Sequence, residues 1–526
     1  MMFDKYYHYI AKIYDSLRQD KGKPLYLSTK KGLSFENILC KPYMSVPNGG
    51  GSSITPISSQ CSVSSLKFDV VNVDYEISKW FYERLNNGNS MMYGEMVDVY
   101  AVSNTGETSL IYRGLIRDVS NDNFESKYTF EVADFQERLK SSVFDRELSE
   151  YNEETISDIN TYRLPYIMVN EERKGFSIKE VDEGKTNDNG EKILTRVITF
   201  EGHVIDFIEM IFKMIFSTPE LAVQVPYLTN KYYDFVDLES LKSIREALSR
   251  PTYNFYFEFR EPISDPYEFL IENIYKPCAI FPYLNLDGKL GLKLHKQPAI
   301  GTHGITLSEN NIISIDEKII TNENITNNII VKYDKDFKED KEYSKRYFSS
   351  IASFNKFRML IPSTPSEYII SGVNKLSETD KATFTATLAD SIFNRYGSTG
   401  IELKITIPLE IGVRHKVGDY LFIMHKTLVA WEGEVSGTKG VGYDSSPEEE
   451  TDKYNGIAHL DVKHDWGGFI SNNTLGKAID GTWIVDTTMK EISHKIFNSR
   501  EIRSCMTNHE LIKQWLTEEG IDISGV

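Results

Sequence analysis

From Ser62 the polar and apolar positions alternate. Val63, Ser65 and Lys67 oppose Ser64, Leu66, Phe68 and Val70, a period of two that predicts a strand running to about Asp74. Residues 75–86 switch to helical spacing, with Ile77, Trp80, Phe81 and Leu85 on one side. Three strand signals follow, at Met96–Val102, Ser109–Val119 and Lys127–Val132. Ser103-Asn104-Thr105-Gly106-Glu107 joins the first two as a hairpin loop, and residues 120–123 join the second and third. Asp134–Phe144 reads as a closing helix. Strand, helix, three-stranded meander and helix make one compact β-rich unit.

Either side of this unit the pattern changes. Phe3, Tyr6, Ile10, Ile13 and Leu17 are spaced by threes and fours. That narrow seam predicts a helix over residues 2–18, docking on its own core or on a partner subunit. Residues 44–60, rich in Gly, Ser and Pro, read as a linker or loop. Residues 145–200 are polar and weakly patterned, with charged loops at Glu171–Lys174 and Glu180–Lys192. Val204–Phe216 predicts a core helix whose Asp206, Glu209 and Lys213 form one wet edge. It is too short and too charged to span a bilayer. Leu238–Ser249 predicts a second helix, with Leu238, Leu241, Ile244, Ala247 and Leu248 inward and Pro251 closing it. Tyr253–Phe259 reads as a strand.

Strand signals return from Ile280. Leu284–Leu286 and Leu290–His295 flank Asp287-Gly288, and Ile305–Leu307, Ile312–Ile315 and Thr326–Tyr333 follow. Residues 335–347 are charged and read as solvated. A helix over 378–396 starts at Ser377-x-x-Asp380, lines one face with Leu388, Ile392 and Tyr396, and stops at Gly397. Ile401–Ile407, Tyr420–His425 and Trp483–Val485 are further strands, with an acidic loop at Gly437–Asn455. A last helix begins at Thr507-Asn508-His509-Glu510 and runs to Gly520. No period of about 20–50 residues repeats, but 62–144 and 284–425 both pair a meander with an amphipathic helix. The fold class expected is α+β, mainly β.

Composition narrows the function. Hydrophobic residues are 40% of the 526, enough for real cores, and aromatics at 12% suit twisted sheets and large interfaces. Lys+Arg is 59 against Asp+Glu 77, a net charge of −18. That balance argues against a reader of nucleic acid and against binding anionic membranes. Cys40, Cys61, Cys278 and Cys505 have no short spacing, so they read as reduced thiols of a protein assembled in cytoplasm. The start, MMFDKYYHYI, lacks the pattern of a signal peptide.

Candidate chemistry is sparse. Gly49-Gly50-Gly51-Ser52-Ser53 has no Lys-Ser/Thr after it to cradle a phosphate and reads as a flexible loop. His459 and His464, five apart, fall on opposite faces of a strand, and His415 and His425 read as surface or half-buried. Glu153-Glu154, Glu171-Glu172 and Glu448-Glu449-Glu450 sit in polar loops rather than facing each other across a cleft. No catalytic, cofactor-binding or metal-binding set is expected.

Two groups of motifs resemble a known family. Tyr112-Arg113-Gly114-Leu115-Ile116-Arg117-Asp118-Val119, then Tyr128-Thr129-Phe130-Glu131-Val132-Ala133-Asp134 and the helix Phe135-Gln136-Glu137-Arg138-Leu139, resemble the first domain of bacteriophage tail hub proteins. The second group starts at Ile312-Ile313-Ser314 and leads into Ile325-Thr326-Asn327-Asn328-Ile329-Ile330-Val331-Lys332-Tyr333. Tyr396-Gly397, Pro408 and Val417-Gly418-Asp419 continue that pattern. The resemblance covers residues 62–144 and 284–490; residues 1–60, 145–275 and 437–455 have no counterpart in it, and nothing matches the catalytic module of tail-lysozyme fusions.

The resemblance implies two tail-tube-like β-barrel or sandwich domains, each with a flanking helix, and an inserted mixed region. The divisions expected are 1–60, 61–145, 146–275, 276–490 and 491–526. It implies a structural virion protein, not an enzyme. A homotrimeric ring would close the distal tail tube, with tube or distal-tail proteins on one side and tip, spike or fibre proteins on the other. Strands such as Met96–Val102 and Thr326–Tyr333 would lie in or near the tube wall. An acidic wall suits a channel that must let DNA pass. Candidate interface residues are Phe3, Tyr6, Ile10, Ile13, Leu17, Tyr93, Tyr100, Tyr112, Phe281 and Tyr333, with Trp80 beside them. The alternatives are another virion part, such as a neck, collar or tail-tip adaptor, or a peptidoglycan- or glycan-cleaving enzyme that uses its aromatics to stack sugars.

Overall fold

One hydrogen-bonded path of antiparallel strands runs through both regions in which strands were expected. The computed structural model describes residues 7–14, 24–55, 60–86, 94–122, 124, 126–144, 151–152, 162–186, 190, 192–216, 230–295, 305–321, 325–350, 352–353, 365–397, 400–424, 434–435, 438–439, 465–477, 483–491, 499–502 and 517. The expected C-terminal helix and nearly all of the 437–455 loop lie outside them, as do His425, His459 and His464.

The first half contains β1 (His8–Ile13), β2 (Leu25–Ser28), β3 (Asn48–Thr55), β4 (Ser65–Val71), β5 (Met96–Val102), β6 (Thr108–Asn121) and β7 (Lys127–Ala133). Their spatial order is β2-β1-β5-β6-β7-β4-β3. On β4, Leu66, Phe68 and Val70 turn inward as the alternation predicts. Helix α1 (Glu76–Asn86) packs on the same core, with the Phe81 ring 5.1 Å from Tyr128 and 6.2 Å from Phe130. Asn72 holds its start, accepting from the Ile77 N–H at 2.9 Å. The helix expected over Asp134–Phe144 is a short 3-10 helix, Phe135–Lys140, capped by Asp134.

Two expectations in this half are corrected. The seam over residues 2–18 is not a helix where it is described: His8–Ile13 is a strand bonded on both edges, to β2 and β5. Ile10 and Ile13, three apart, therefore face opposite ways. Ile13 enters the main core, whereas Ile10 packs with Tyr26, Cys40 and Val102. The 44–60 linker is also largely a strand. Gly49 has φ +88°, and a Cβ there would lie 2.6 Å from the Ser65 carbonyl oxygen. A Cβ on Gly51 would lie 2.5 Å from Thr474 Oγ1. These glycines permit close approach of the neighbouring chain, which composition alone reads as looseness.

The middle region builds a second sheet from β8 (Tyr166–Val169), β9 (Glu172–Thr186), β10 (Lys192–His203) and β11 (Asn254–Phe259), in that order. Of the charged stretches expected as loops, Glu171–Lys174 lies mostly on the start of β9, and Glu180–Lys192 takes in the end of β9 and reaches the first residue of β10. Helices α2 (Val204–Ile215) and α3 (Leu238–Ala247) belong to this region. The wet edge expected on α2 is not wet. Asp206 is buried and takes Arg245 Nη2 at 3.0 Å, Glu209 accepts from the Tyr232 hydroxyl at 2.7 Å, and Lys213 donates to the Tyr166 carbonyl at 2.8 Å. On α3, Leu241 and Ile244 point inward, with Leu248 just beyond it, whereas Leu238 and Ala247 are exposed. The core beneath is aromatic: Phe207 lies 5.1 Å from Phe200 and 4.9 Å from Phe257, and Phe144 lies 5.0 Å from Phe176. Each fully buried ring contributes roughly 1.5–3 kcal/mol of transfer free energy.

Next come the hairpin β12 (Ile280–Leu284) and β13 (Leu290–Leu294), then β14 (Ile305–Ser308) and β15 (Ser314–Thr321). β16 (Asn328–Asp336), β17 (Lys341–Ser349) and β18 (Ser366–Ile369) precede helix α4 (Glu378–Tyr396). β19 (Gly400–Pro408), helix α5 (Leu409–Gly412), β20 (Tyr420–Met424), β21 (Asp465–Lys477), β22 (Trp483–Glu491) and β23 (Arg500–Ile502) complete the set. β16, β17, β18 and β23 form a separate sheet, so much of the charged 335–347 stretch is strand. Leu388, Ile392 and Tyr396 of α4 join the core of the middle region. In the second half it is the short α5 that lies against β19 and β22.

The second half continues the main sheet as β3-β21-β22-β19-β15, with β20 on β21 and β14 on β20. β21 carries β20 along its first residues and β3 farther on, Asn472 opposite Ser53 and Leu475 opposite Gly49. The two halves share one core: Leu66, Phe68, Val99 and Phe130 of the first pack in one cluster with Leu403, Ile405, Leu421 and Met489 of the second. The fold is mainly β, and the main sheet is not closed into a barrel among the described residues. Cys40 and Cys278 are buried free thiols.

Candidate functional site

Beyond the β3–β21 ladder, a buried ion pair ties the first half to the β12–β13 hairpin. Asp98 on β5 is fully buried and accepts from Arg113 on β6, Nε at 2.5 Å and Nη2 at 2.7 Å. The hydroxyls of Tyr14, at 2.8 Å, and Tyr100, at 3.1 Å, complete its shell. Arg113 Nη1 reaches on to the Asp287 carbonyl at 2.7 Å, at the tip of the hairpin. Gly288 has φ +72°, and a Cβ there would overlap the Arg113 side chain, so the turn rests on the arginine. The hydrogen bonds that Arg113 donates to Asp98 raise the guanidinium pKa above its ordinary value; burial and then Asp98 raise those of Tyr14 and Tyr100. A charge-assisted, bidentate pair of this kind fixes geometry as well as attraction.

Several interface candidates belong to the chain's own core. Ile10, Ile13, Tyr112, Phe281 and Tyr333 are buried. The Tyr112 hydroxyl lies 2.8 Å from the Ser64 carbonyl and 3.1 Å from that of Val132. Phe281 lies under the Val417-Gly418-Asp419 turn, where a Cβ on Gly418 would overlap its ring. Tyr100 is half-buried, its ring 4.5 Å from Phe35, and Trp80 is half-buried with its ring 5.6 Å from Phe81. Phe3, Tyr6, Leu17 and Tyr93 lie outside the described residues. His415, read as a surface or half-buried histidine, is buried, and that burial lowers its pKa.

What the chain leaves exposed was not singled out by its sequence. Phe124 is 83% exposed, Tyr75 60% and Val71 53%, with Val73 beside them. Val71 pairs with Lys127, and the Asn72 N–H donates to the Ser126 carbonyl, so these side chains gather at one end of the β4–β7 pair. A lone Phe within the polar turn Asn121-Asp122-Asn123-Phe124-Glu125-Ser126 was the signal available. Asp74 and Tyr75 both have positive φ, 52° and 55°, a conformation that costs a non-glycine residue about 1–2 kcal/mol. Contiguous exposed apolar groups mark contact surfaces. At the opposite limit of the main sheet, β15 has β19 as its one neighbour among the described residues, whereas the far edge of β2 is covered through Ser28 N–H to Lys41 carbonyl at 2.8 Å. An uncovered edge can extend a sheet into another chain.

Among the described residues no group of three or more His, Cys, Asp or Glu could hold a metal, and no helix is long and apolar enough to cross a membrane.

No family model matches the chain, and no curated protein sequence matches it. Three solved structures align along most of its length, two of them tail proteins. A tail protein from Neisseria meningitidis aligns over 94% of this chain and 98% of its own, at 9% identity and a TM-score of 0.39. A prophage tail protein from Shewanella oneidensis covers 92% and 97%, at 8% identity and 0.36. An Escherichia coli type VI secretion component, described as structurally similar to tail proteins of phage T4, covers 94% and 75%, at 9% identity and 0.32. These TM-scores are too low to show a shared fold.

Proposed function

We propose that the chain is a structural hub of a phage tail, a homotrimeric ring that closes the distal tube and joins it to tip, spike or fibre proteins in the virion. The observation that carries this reading is the joining of two antiparallel halves, edge to edge at β3–β21, in one polypeptide. Three such chains would offer six strand-built units to a six-fold tube. Of the motifs that resemble tail hub proteins, Tyr112–Val119 lies on β6 of the first half and Val417-Gly418-Asp419 leads into β20 of the second, whereas Ile325–Tyr333 leads into β16, outside the main sheet. The β15 edge, unpaired among the described residues, and the apolar end around Phe124 are surfaces that ring closure and docking would bury. A net charge of −18 suits a wall past which DNA must slide.

The test is the mass of the purified assembly by native mass spectrometry, with symmetry checked by electron microscopy of the particle. A three-chain ring at the distal end of the tail is expected. Phe124→Ser with Tyr75→Ser should abolish docking to tube proteins while leaving the circular dichroism spectrum unchanged. A lone monomer placed elsewhere in the particle, or a purified chain that hydrolyses glycan, refutes the hub.

A further inference from the structure

Beside β1 and β2 the chain folds a small hairpin over the face of the sheet turned away from its main core. Ser34–Phe35 and Ile38–Leu39 pair with each other around Glu36 and Asn37, both at positive φ, 51° and 63°. Two such residues make the tight turn of a two-residue hairpin. Among the described residues no backbone hydrogen bond joins residues 34–39 to the sheet beneath. The stem is tied instead: the Cys40 N–H donates to the Leu33 carbonyl at 2.9 Å, and the Lys41 N–H to the Tyr26 carbonyl at 2.9 Å.

Side chains hold the hairpin down. Glu36 accepts from Lys12 Nζ on both carboxylate oxygens, at 2.7 and 2.8 Å, and from the Tyr26 hydroxyl at 2.7 Å. The Phe35 ring lies 4.5 Å from that of Tyr100. Beneath is a small core of Ile10, Tyr26, Cys40 and Val102, separate from the main one, on which Leu33 and Phe35 pack. Cys40 Sγ lies 3.9 Å from the Ile38 carbonyl oxygen, and the Ile38 and Leu39 side chains face solvent. A two-stranded hairpin has little stability of its own, so these few contacts decide whether it stays closed. The ion pair is asymmetric: Lys12 is buried, whereas Glu36 is exposed. Loss of the carboxylate strands the ammonium, and opening returns it to water. The bonds from Lys12 and then Tyr26 hold the Glu36 carboxyl below its ordinary value, so it is charged at neutral pH.

We propose that residues 33–39 are a latch that opens as one unit, with Glu36 as its catch. Opening uncovers the small core of Ile10, Tyr26, Cys40 and Val102 while the main sheet and the middle region stay folded. All the groups involved belong to one chain, so the latch does not depend on the hub reading.

The test is alkylation of the full chain with N-ethylmaleimide at pH 7, followed by mass spectrometry of the peptides that contain Cys40 and Cys278. Both thiols are buried, but Cys278 belongs to the core of the middle region and reports its unfolding. Labelling tracks the open population when closing is faster than alkylation. Cys40 should react at least about tenfold faster than Cys278 in the wild type. Glu36→Gln should speed Cys40 by about fivefold or more and leave Cys278 unchanged. Adding Lys12→Met to Glu36→Gln should bring the Cys40 rate back toward the wild-type value, because no buried charge is then left unpaired. A purely structural loss of contacts would instead add to the first. Amide exchange of Cys40 should follow the same order, independently of the thiol's own reactivity. Equal rates for Cys40 and Cys278, no acceleration in Glu36→Gln, or no return in the double variant overturns the proposal.

Discussion

Replacing Arg113 by alanine should cost about 3–5 kcal/mol, because it leaves a buried carboxylate without its cation. Asp98 is 0% exposed, so water cannot replace the guanidinium. The Tyr14 and Tyr100 hydroxyls would remain as donors, yet neither supplies charge. The Asp287 carbonyl also loses its donor, which loosens the β12–β13 turn. Asp98→Leu with Arg113→Met tests whether the cost lies in the orphaned charge rather than in lost volume. That pair should cost far less than the sum of the single changes, with a coupling of about 2–3 kcal/mol. A chain this long need not unfold in two states, so the measurement is amide hydrogen exchange of Val97, Val99 and Tyr112, which reads the β5–β6 ladder directly. Protection unchanged to within about 1 kcal/mol in Arg113→Ala, or additive costs in the double variant, would refute the reasoning.

Gly51→Val should destabilise the β3–β21 joint by at least about 1–3 kcal/mol, since its Cβ meets Thr474 Oγ1 at 2.5 Å. Thr474→Gly in the same chain should restore most of the loss in a thermal melt. Asp134 is fully buried, and burial outweighs its four donors to hold its carboxyl at about 6. A raised carboxyl pKa favours the folded state at acid pH. That contribution is complete below the ordinary value of 3.8 and lost as pH rises through 6. Relative to Asp134→Asn, the wild type should therefore lose about 2 kcal/mol between pH 4 and 7, read from urea midpoints across that range.

How far the sequence could be read depends on what decided each element. Strands β4 and β7 were legible because one face of each is core and the other is more exposed, so their residues alternate. α4 was legible from Ser377 at its cap and Gly397 at its end. β3 was hidden because close approach on both edges selects glycine, the same residue that flexibility selects. β1 was misread because Ile10 and Ile13 serve two different cores from one strand, which mimics helical spacing. The polar edge of α2 was misjudged because its partners Arg245, Tyr232 and Tyr166 are distant in sequence. Of the aromatic anchors, Tyr112, Phe281 and Tyr333 could not be sorted into core or contact surface by type alone, because rings serve both.

The thirteen-residue strand β21 has a mechanical consequence. Along one edge it holds β20 first and then β3, so a single backbone serves as spine for both halves. A pull applied to either half along this strand loads the rungs of the other in shear, where many bonds must fail together rather than peel one by one. The two lobes should therefore stiffen each other and come apart in a single step under tension.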